Sequence, residues 1–246
     1  MRVKRASGLA LSEAGENYIK ALFELSSEDQ RVTTTALAEH LGVAPASVTG
    51  MLKKLAAERP SLVEYRPRRG ASLSPLGRRV AAEVIRHHRL IELYLHQALG
   101  FSADEVHDEA ERLEHVISEA FEDRVAALLG DPEYDPHGAP IPRKDGSIPA
   151  QLGQPAAQLE ARRAGRVVRV PDRDPALLRR LTELGIVPGA GFRRHGGGEA
   201  GWMRVEILRE QEWIRHELRE SDLALVRVEP DGGQADPASP HAPTTG

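Results

Sequence analysis

Thr34-Thr-Ala-Leu-Ala38-Glu-His-Leu-Gly42-Val-Ala-Pro-Ala-Ser-Val48 is the stretch on which the fold turns. Ala38, Gly42 and Val48 have the spacing of two short helices packed across a tight turn. A small residue lets the helices approach, glycine takes the strained turn conformation, and valine packs the second helix back on the first. Leu37, Leu41, Leu52 and Leu55 would complete the core, and Pro45 suits the first turn of the second helix. Upstream, Ala14, Tyr18, Ala21, Leu22 and Leu25 share one face of a helix expected from about Ser12 to Ser26. Downstream, Leu62-Val-Glu-Tyr65, Arg66-Pro-Arg-Arg-Gly70 and Ala71-Ser-Leu73 read as strand, basic turn and strand, which is a wing.

Charge gives this helix pair a direction. Residues 1–80 hold 13 Lys/Arg against 8 Asp/Glu, a balance of +5, which suits a polyanion. The expected reading face is Thr35 with Ala44, Pro45, Ala46, Ser47, Thr49 and Gly50, small residues suited to thymine methyls and to DNA shape. Lys53 and Lys54, with Arg66, Arg68 and Arg69 of the wing, are available for phosphates.

Residues 81–130 reverse the sign, with 4 Lys/Arg against 11 Asp/Glu and five of the ten histidines. Ser74-Pro75 should start a long helix that stops at Gly100, with Val80, Val84, Ile91, Leu95 and Leu99 on its apolar stripe and His88 pointing inward. Ser102 and Glu105 form an expected capping box for a helix carrying His107, Glu111, Glu114 and His115 on one stripe. His88 and Glu92 are spaced i,i+4 as well. Two imidazoles and two carboxylates on one stripe point to a cation, because buried carboxylates are costly without one. With no cysteine in the chain, its ligands would be nitrogen and oxygen. A di-iron carboxylate enzyme needs a Glu-x-x-His pair on each of two helices, and the chain has none, so no catalytic residue is expected.

The 246 residues, 40% hydrophobic, suffice for more than one core. No apolar run approaches a membrane span, and Met1-Arg-Val-Lys-Arg5 leads into no signal-peptide core, so a cytoplasmic protein without a membrane partner is expected. Gly130 to about Ala161 is rich in Pro, Gly and Asp and reads as a linker. Val167-Val-Arg-Val170, Met203-Arg-Val-Glu-Ile-Leu208 and Leu223-Ala-Leu-Val-Arg-Val228 read as strands of a small β-barrel, with a capped helix at Asp174–Gly185. Pro230 to Gly246 lacks a core pattern and is expected to be a disordered tail.

Over residues 12–229 the chain resembles the diphtheria-toxin-repressor family of metal-dependent regulators. The resemblance rests on Glu16-Asn-Tyr-Ile-Lys-Ala-Leu-Phe-Glu-Leu25, on the helix-turn-helix with Val48-Thr49, on His88-Arg-Leu90 with Glu92, and above all on Val106-His-Asp-Glu-Ala-Glu-Arg-Leu-Glu-His-Val116. Gly138-Ala-Pro-Ile-Pro142 and the terminal segment add to it. It implies a mainly α chain with a small all-β C-terminal domain. The expected parts are a winged helix-turn-helix (1–73), a helical metal-binding and dimerisation domain (74–130), a linker (131–161), an SH3-like, ferrous-transport-protein-A-like domain (162–229) and a tail (230–246). By the same resemblance, His88, Glu111, Glu114, His115 and Asn17 match metal ligands, and His107 and Glu92 match a second site. Asp174 and Leu177 fall where the terminal domain of iron-responding members sends ligands. Glutamate at position 111, where iron-responding members carry cysteine, implies Mn²⁺ with Fe²⁺ as the alternative. Manganese members supply two acids from the first helix, where this chain has Asn17 and Lys20. The implied function is a homodimeric repressor of manganese or iron uptake genes that binds a palindromic operator and takes no small organic substrate. The competing reading is a winged-helix regulator of a non-metal effector, with the His/Glu cluster as a polar interface.

Overall fold

A computed structural model describes residues 11–26, 31–195 and 198–232 of the chain. They fall into two compact units, divided between Ala150 and Gln151.

The first unit begins with α1 (Glu13–Leu25), α2 (Thr34–Leu41) and α3 (Pro45–Ala57). Each starts where its sequence allows: Ser12 and Thr33 accept from Gly15 N and Ala36 N, and Pro45 occupies the first turn of α3. Gly42 ends α2 at φ 64°, the left-handed turn position. Leu22, Leu37, Val48 and Leu52 are all fully buried in one cluster. A side chain of this kind contributes roughly 1.5–3 kcal/mol on burial. Strands β1 (Val63–Arg66) and β2 (Gly70–Leu73) pair antiparallel, with Arg66 opposite Gly70, and form the wing. Val32 bridges to Ala71 at its root. Gly70 has φ 84°, and an added Cβ would lie 2.3 Å from the Val32 carbonyl oxygen.

From Ser74, whose hydroxyl accepts from Gly77 N, α4 runs Pro75–Leu99 to a left-handed cap at Gly100. Its buried residues include Val80, Val84, His87, His88, Ile91, Glu92 and Leu95, whereas Leu99, in its last turn, is exposed. Next come α5 (Val106–Leu113) and α6 (Glu119–Leu128). Val106 and Ala110 of α5 pack against Ile91 and Leu95. The helix starts later than the capping box suggests: Ser102 N donates to Glu105 Oε2 at 3.1 Å, but this closes a turn ahead of the helix. It also stops sooner, with Glu114 as its C-cap and His115 in the following turn.

The segment expected as a linker is divided between the units. Its first part is strapped to α4: Ile141 is buried against Leu90 and Leu93, and the Arg86 and Arg89 guanidiniums donate to the Pro142 and Pro140 carbonyls. In the second unit, β3 (Gln154–Pro155) and a 3-10 turn, Ala156–Gln158, precede β4 (Ala164–Arg169), α7 (Pro175–Glu183), β5 (Gly191–Arg194), β6 (Trp202–Arg209), β7 (Glu212–Arg219), α8 (Glu220–Leu223) and β8 (Arg227–Pro230). These strands form one antiparallel sheet in the order β3-β8-β4-β5-β6-β7, over a core that includes Phe192, Val205, Ile207 and Leu178. Where one strand was expected at Leu223–Val228, Leu223 ends α8 and β8 begins at Arg227. Of the expected tail, 233–246 lie outside the described residues, and Pro230 closes β8. Among the described residues no helix is long and apolar enough to cross a membrane.

Gly70 should resist substitution in a way that Gly50 does not. Gly70→Ala is expected to lose about 1–3 kcal/mol from its backbone conformation alone, with the Val32 clash added. Gly50, with open space around its Cβ position inside α3, should gain up to about 1 kcal/mol as Ala. Urea unfolding of both variants checks the contrast, and equal midpoints would overturn it.

Candidate metal centre and nucleic-acid face

Helices α1, α4 and α5 meet at a buried polar cluster. From α4, His88 faces two ways. Its Nδ1 lies 2.5 Å from Glu114 Oε2, while its Nε2 lies 2.9 Å from Glu92 Oε1 and 3.2 Å from His107 Nδ1. His107 Nδ1 is also 3.2 Å from Glu92 Oε1. From α1, Lys20 enters between the acids, with Nζ 2.8 Å from Glu111 Oε1, 2.8 Å from Glu114 Oε2 and 3.1 Å from His88 Nδ1. One turn earlier, Glu16 Oε2 lies 2.7 Å from His115 Nδ1, and His115 Nε2 lies 3.3 Å from Glu114 Oε1. Glu92 and Glu114 are completely buried.

The stripe read from the sequence therefore serves two adjacent groups. Ligand-type atoms of His88, Glu92 and His107 lie within 4.8 Å of one another, as do those of His88, Glu111 and Glu114. His115 joins neither; its Nε2 and Asn17 Oδ1 are both buried without a hydrogen-bond partner. Asp174 belongs to the second unit, where its Oδ1 accepts from Ala176 N and Leu177 N as the N-cap of α7, and Leu177 is buried. A third group was not foreseen. Glu92, Asp135 and His137, all buried, also bring ligand-type atoms within 4.8 Å of one another. Glu92 Oε2 and His137 Nδ1 lie 3.9 Å apart, and each lacks a hydrogen-bond partner. The Asp-Pro-His spacing at 135–137 was visible, but a stretch of Pro and Gly hides the burial that gives it meaning.

The electrostatics are those of acids held ionised in a dry site. Burial alone would raise Glu92 and Glu114, yet His88 and His107 hold Glu92 well below the usual carboxylate range, and His88 and Lys20 lower Glu114. Burial and Lys20 disfavour a charged His88, but Glu92 and the bonds to both acids outweigh them and push it up to about 10. Lys20 is likewise raised against its burial, by Glu114 and Glu111. With a proton on Nδ1, His88 donates to Glu114, and its 3.1 Å approach to Lys20 is then a contact between two cations sharing a carboxylate.

The expected DNA face is open. Thr35, Ala44, Pro45, Ala46, Ser47, Gly50, Lys53 and Lys54 are exposed, as are Arg66, Arg68 and Arg69 in the wing. Thr49 is half-buried and its hydroxyl donates to the Pro45 carbonyl. Beside the wing, Arg31 pairs with Glu64 at 3.0 Å.

A winged helix-turn-helix joined to a buried histidine and carboxylate centre defines a class of metal-responsive DNA-binding regulators, and comparison with known proteins supplies the family. Residues 10–71 match the model of the iron dependent repressor N-terminal DNA binding domain, and 74–143 that of its metal binding and dimerisation domain. Residues 155–230 match the FeoA domain. The iron-dependent repressor IdeR of Mycobacterium tuberculosis is 32% identical over 195 residues, 73% of this chain and 83% of that protein. The diphtheria toxin repressor of Corynebacterium glutamicum is 36% identical over 132 residues, a match spanning 54% of this chain and only 57% of the relative. Among solved structures, a manganese-dependent transcriptional repressor in complex with manganese superposes with a TM-score of 0.79 at 34% identity, covering 88% of this chain and 99% of the other. The manganese regulator SloR gives 0.72 at 28% identity, covering 88% and 98%. The chain belongs to the family of iron-dependent, DNA-binding repressors that includes the diphtheria toxin repressor.

Beside the centre, His87 Nε2 lies 2.8 Å and Arg86 Nε 2.5 Å from the two oxygens of buried Glu122. Burial raises this carboxyl, but the His87 and Arg86 hydrogen bonds outweigh it and take the group from 4.5 to about 2. A depressed carboxylate stabilises the fold above its unfolded pKa and loses that contribution as pH falls through its folded one. Glu122→Gln should therefore cost up to about 3 kcal/mol at neutral pH, with the deficit closing between pH ~4.5 and ~2. Urea unfolding across pH reads this, and a deficit constant with pH would count against it.

Proposed function

We propose that the chain is a manganese-responsive repressor that works as a cytoplasmic homodimer and binds a palindromic operator at genes for manganese or iron uptake. One observation carries this reading: α1, which shares the core of the helix-turn-helix, meets α4 and α5 at a buried cluster of acids and imidazoles. Asn17 Oδ1 and His115 Nε2, buried atoms that make no hydrogen bond, fit a cation that would use them. Asn17, Glu114 and His115 are the proposed ligands, with His88 and Glu111 on the border. His88, Glu92 and His107 would hold a second ion, with Asp135 and His137 beyond Glu92. A divalent ion would supply positive charge beside Glu92 and Glu114, which are fully buried.

The protein's own residues provide the linkage. Glu16, Asn17 and Lys20 sit on α1, so their hold on α5 fixes α1 and, through the shared core, recognition helix α3. An ion that favours the DNA-competent arrangement shifts the population toward it. The carboxylate of Glu111 is a hard donor of the kind that suits Mn²⁺, and similar structures include a manganese-dependent repressor and the manganese regulator SloR. A two-fold dimer presents two recognition helices and so fits a palindrome.

The test is binding to the DNA upstream of the protein's own gene, at fixed salt, metal-stripped and then with Mn²⁺, Fe²⁺ or Zn²⁺. Affinity should rise roughly tenfold or more with Mn²⁺, within the usual range of allosteric coupling, and fall on chelation. Glu114→Gln should lose the stimulation while remaining folded by circular dichroism. Specific binding indifferent to chelator would overturn the reading in favour of a non-metal effector.

A further inference from the structure

Lys20 is an odd neighbour for a cation site. It is buried, and its ammonium lies 2.8 Å from Glu111 Oε1, 2.8 Å from Glu114 Oε2 and 3.1 Å from His88 Nδ1. These are three side chains whose ligand-type atoms lie within 4.8 Å of one another, the arrangement that would otherwise receive a metal. The ammonium takes both carboxylates at hydrogen-bonding distance and leaves no gap there for a divalent ion, which would also face its charge directly. On the far side of His88, Nε2 faces Glu92 and His107. Toward α1, Asn17 Oδ1 and His115 Nε2 make no hydrogen bond.

We propose that Lys20 is a tethered cation that permanently fills one metal position of this centre, the one bounded by His88 Nδ1, Glu111 and Glu114. The chain thereby loads one fewer divalent ion per subunit than its acids and imidazoles could hold. The same contact crosses from α1 to α5, so the metal-free protein keeps part of the closure that a metal would otherwise have to supply. Charge on the position is then constant, and only the neighbouring groups, Asn17/Glu114/His115 and His88/Glu92/His107, respond to metal supply. The inference rests on the proposed metal-responsive reading for those neighbouring groups, but the Lys20 position can be tested separately.

Removing the ammonium at similar length should open the position. Metal-stripped wild type and Lys20→Met are loaded with Mn²⁺, and bound metal per subunit is measured by calorimetry and elemental analysis. Amide exchange of α1 is followed in the metal-free proteins. Lys20→Met should bind one more Mn²⁺ per subunit than wild type, and its metal-free α1 amides should exchange at least tenfold faster, a difference that Mn²⁺ removes. Equal stoichiometry in the two proteins overturns the proposal. If Lys20→Met does not fold, Lys20→Gln, which keeps a polar neutral group there, is read by the same two measurements with the same outcomes. Wild type that binds no Mn²⁺ would defeat the metal-responsive reading, yet a gain from none to one in the variant would still sustain the assignment of Lys20.

Discussion

Two carboxylates, Glu92 and Glu114, lie in the interior without access to water, and the first unit is organised by the need to balance them. An ionised acid removed from water is costly unless positive charge and hydrogen bonds meet it. The chain meets this need from three directions: His88 on α4, His107 on α5 and Lys20 on α1. Apolar packing sets the distances, since Val106 and Ala110 seat α5 on Ile91 and Leu95. The side of α1 that carries Glu16 and Lys20 toward the acids belongs to a helix whose Ile19 and Leu22 pack in the core with Val48. The cluster's contacts and the core of α3 thus meet on one helix, α1.

How much of this was legible depends on whether a local rule fixed the outcome. The helix-turn-helix was readable because Ala38, Gly42 and Val48 each answer a steric demand that few other residues satisfy, and the structure buries Ala38 and Val48 and places Gly42 at φ 64°. The wing was readable from its basic turn between short β-prone runs. Strand β7 was not: Glu212–Arg219 is mostly exposed, lacks an apolar alternation, and follows Glu210 and Gln211, both at positive φ without glycine or asparagine to announce the turn. Its place comes from eight residue pairs with β6, a tertiary fact with no local signature.

The candidate centre divides in the same way. Helical periodicity brought His88, Glu92, His107, Glu111 and Glu114 to one region, and the structure places them there. Periodicity could not say that α5 stops at Leu113, nor that one stripe would serve two groups on opposite sides of the His88 ring. Asp135 and His137 escaped because composition alone reads Pro and Gly as solvent-exposed chain. Here Asp135 Oδ1 accepts from His137 N and Ala139 N, and the prolines that follow offer carbonyls to Arg86 and Arg89. A proline-rich segment has few donors of its own, so it is well suited to being strapped down by guanidiniums.

His88 and Glu92 are shared, and sharing has a thermodynamic consequence. One imidazole presents Nδ1 to Glu114 and Nε2 to Glu92, while Glu92 turns its other oxygen toward His137. The hydrogen bond at one ring nitrogen governs the proton at the other, so the two groups on either side of His88 cannot change state independently. Any ligand that alters one group alters the affinity of the other by the same factor in return. Glu16 and Lys20 carry the cluster's contacts to α1, so on the proposed function operator DNA that favours one position of α3 would favour the matching state of the cluster. On the proposed function, the DNA-reading surface and the buried charge are two ends of one equilibrium, joined by side chains such as His88 and Lys20 that each have more than one partner.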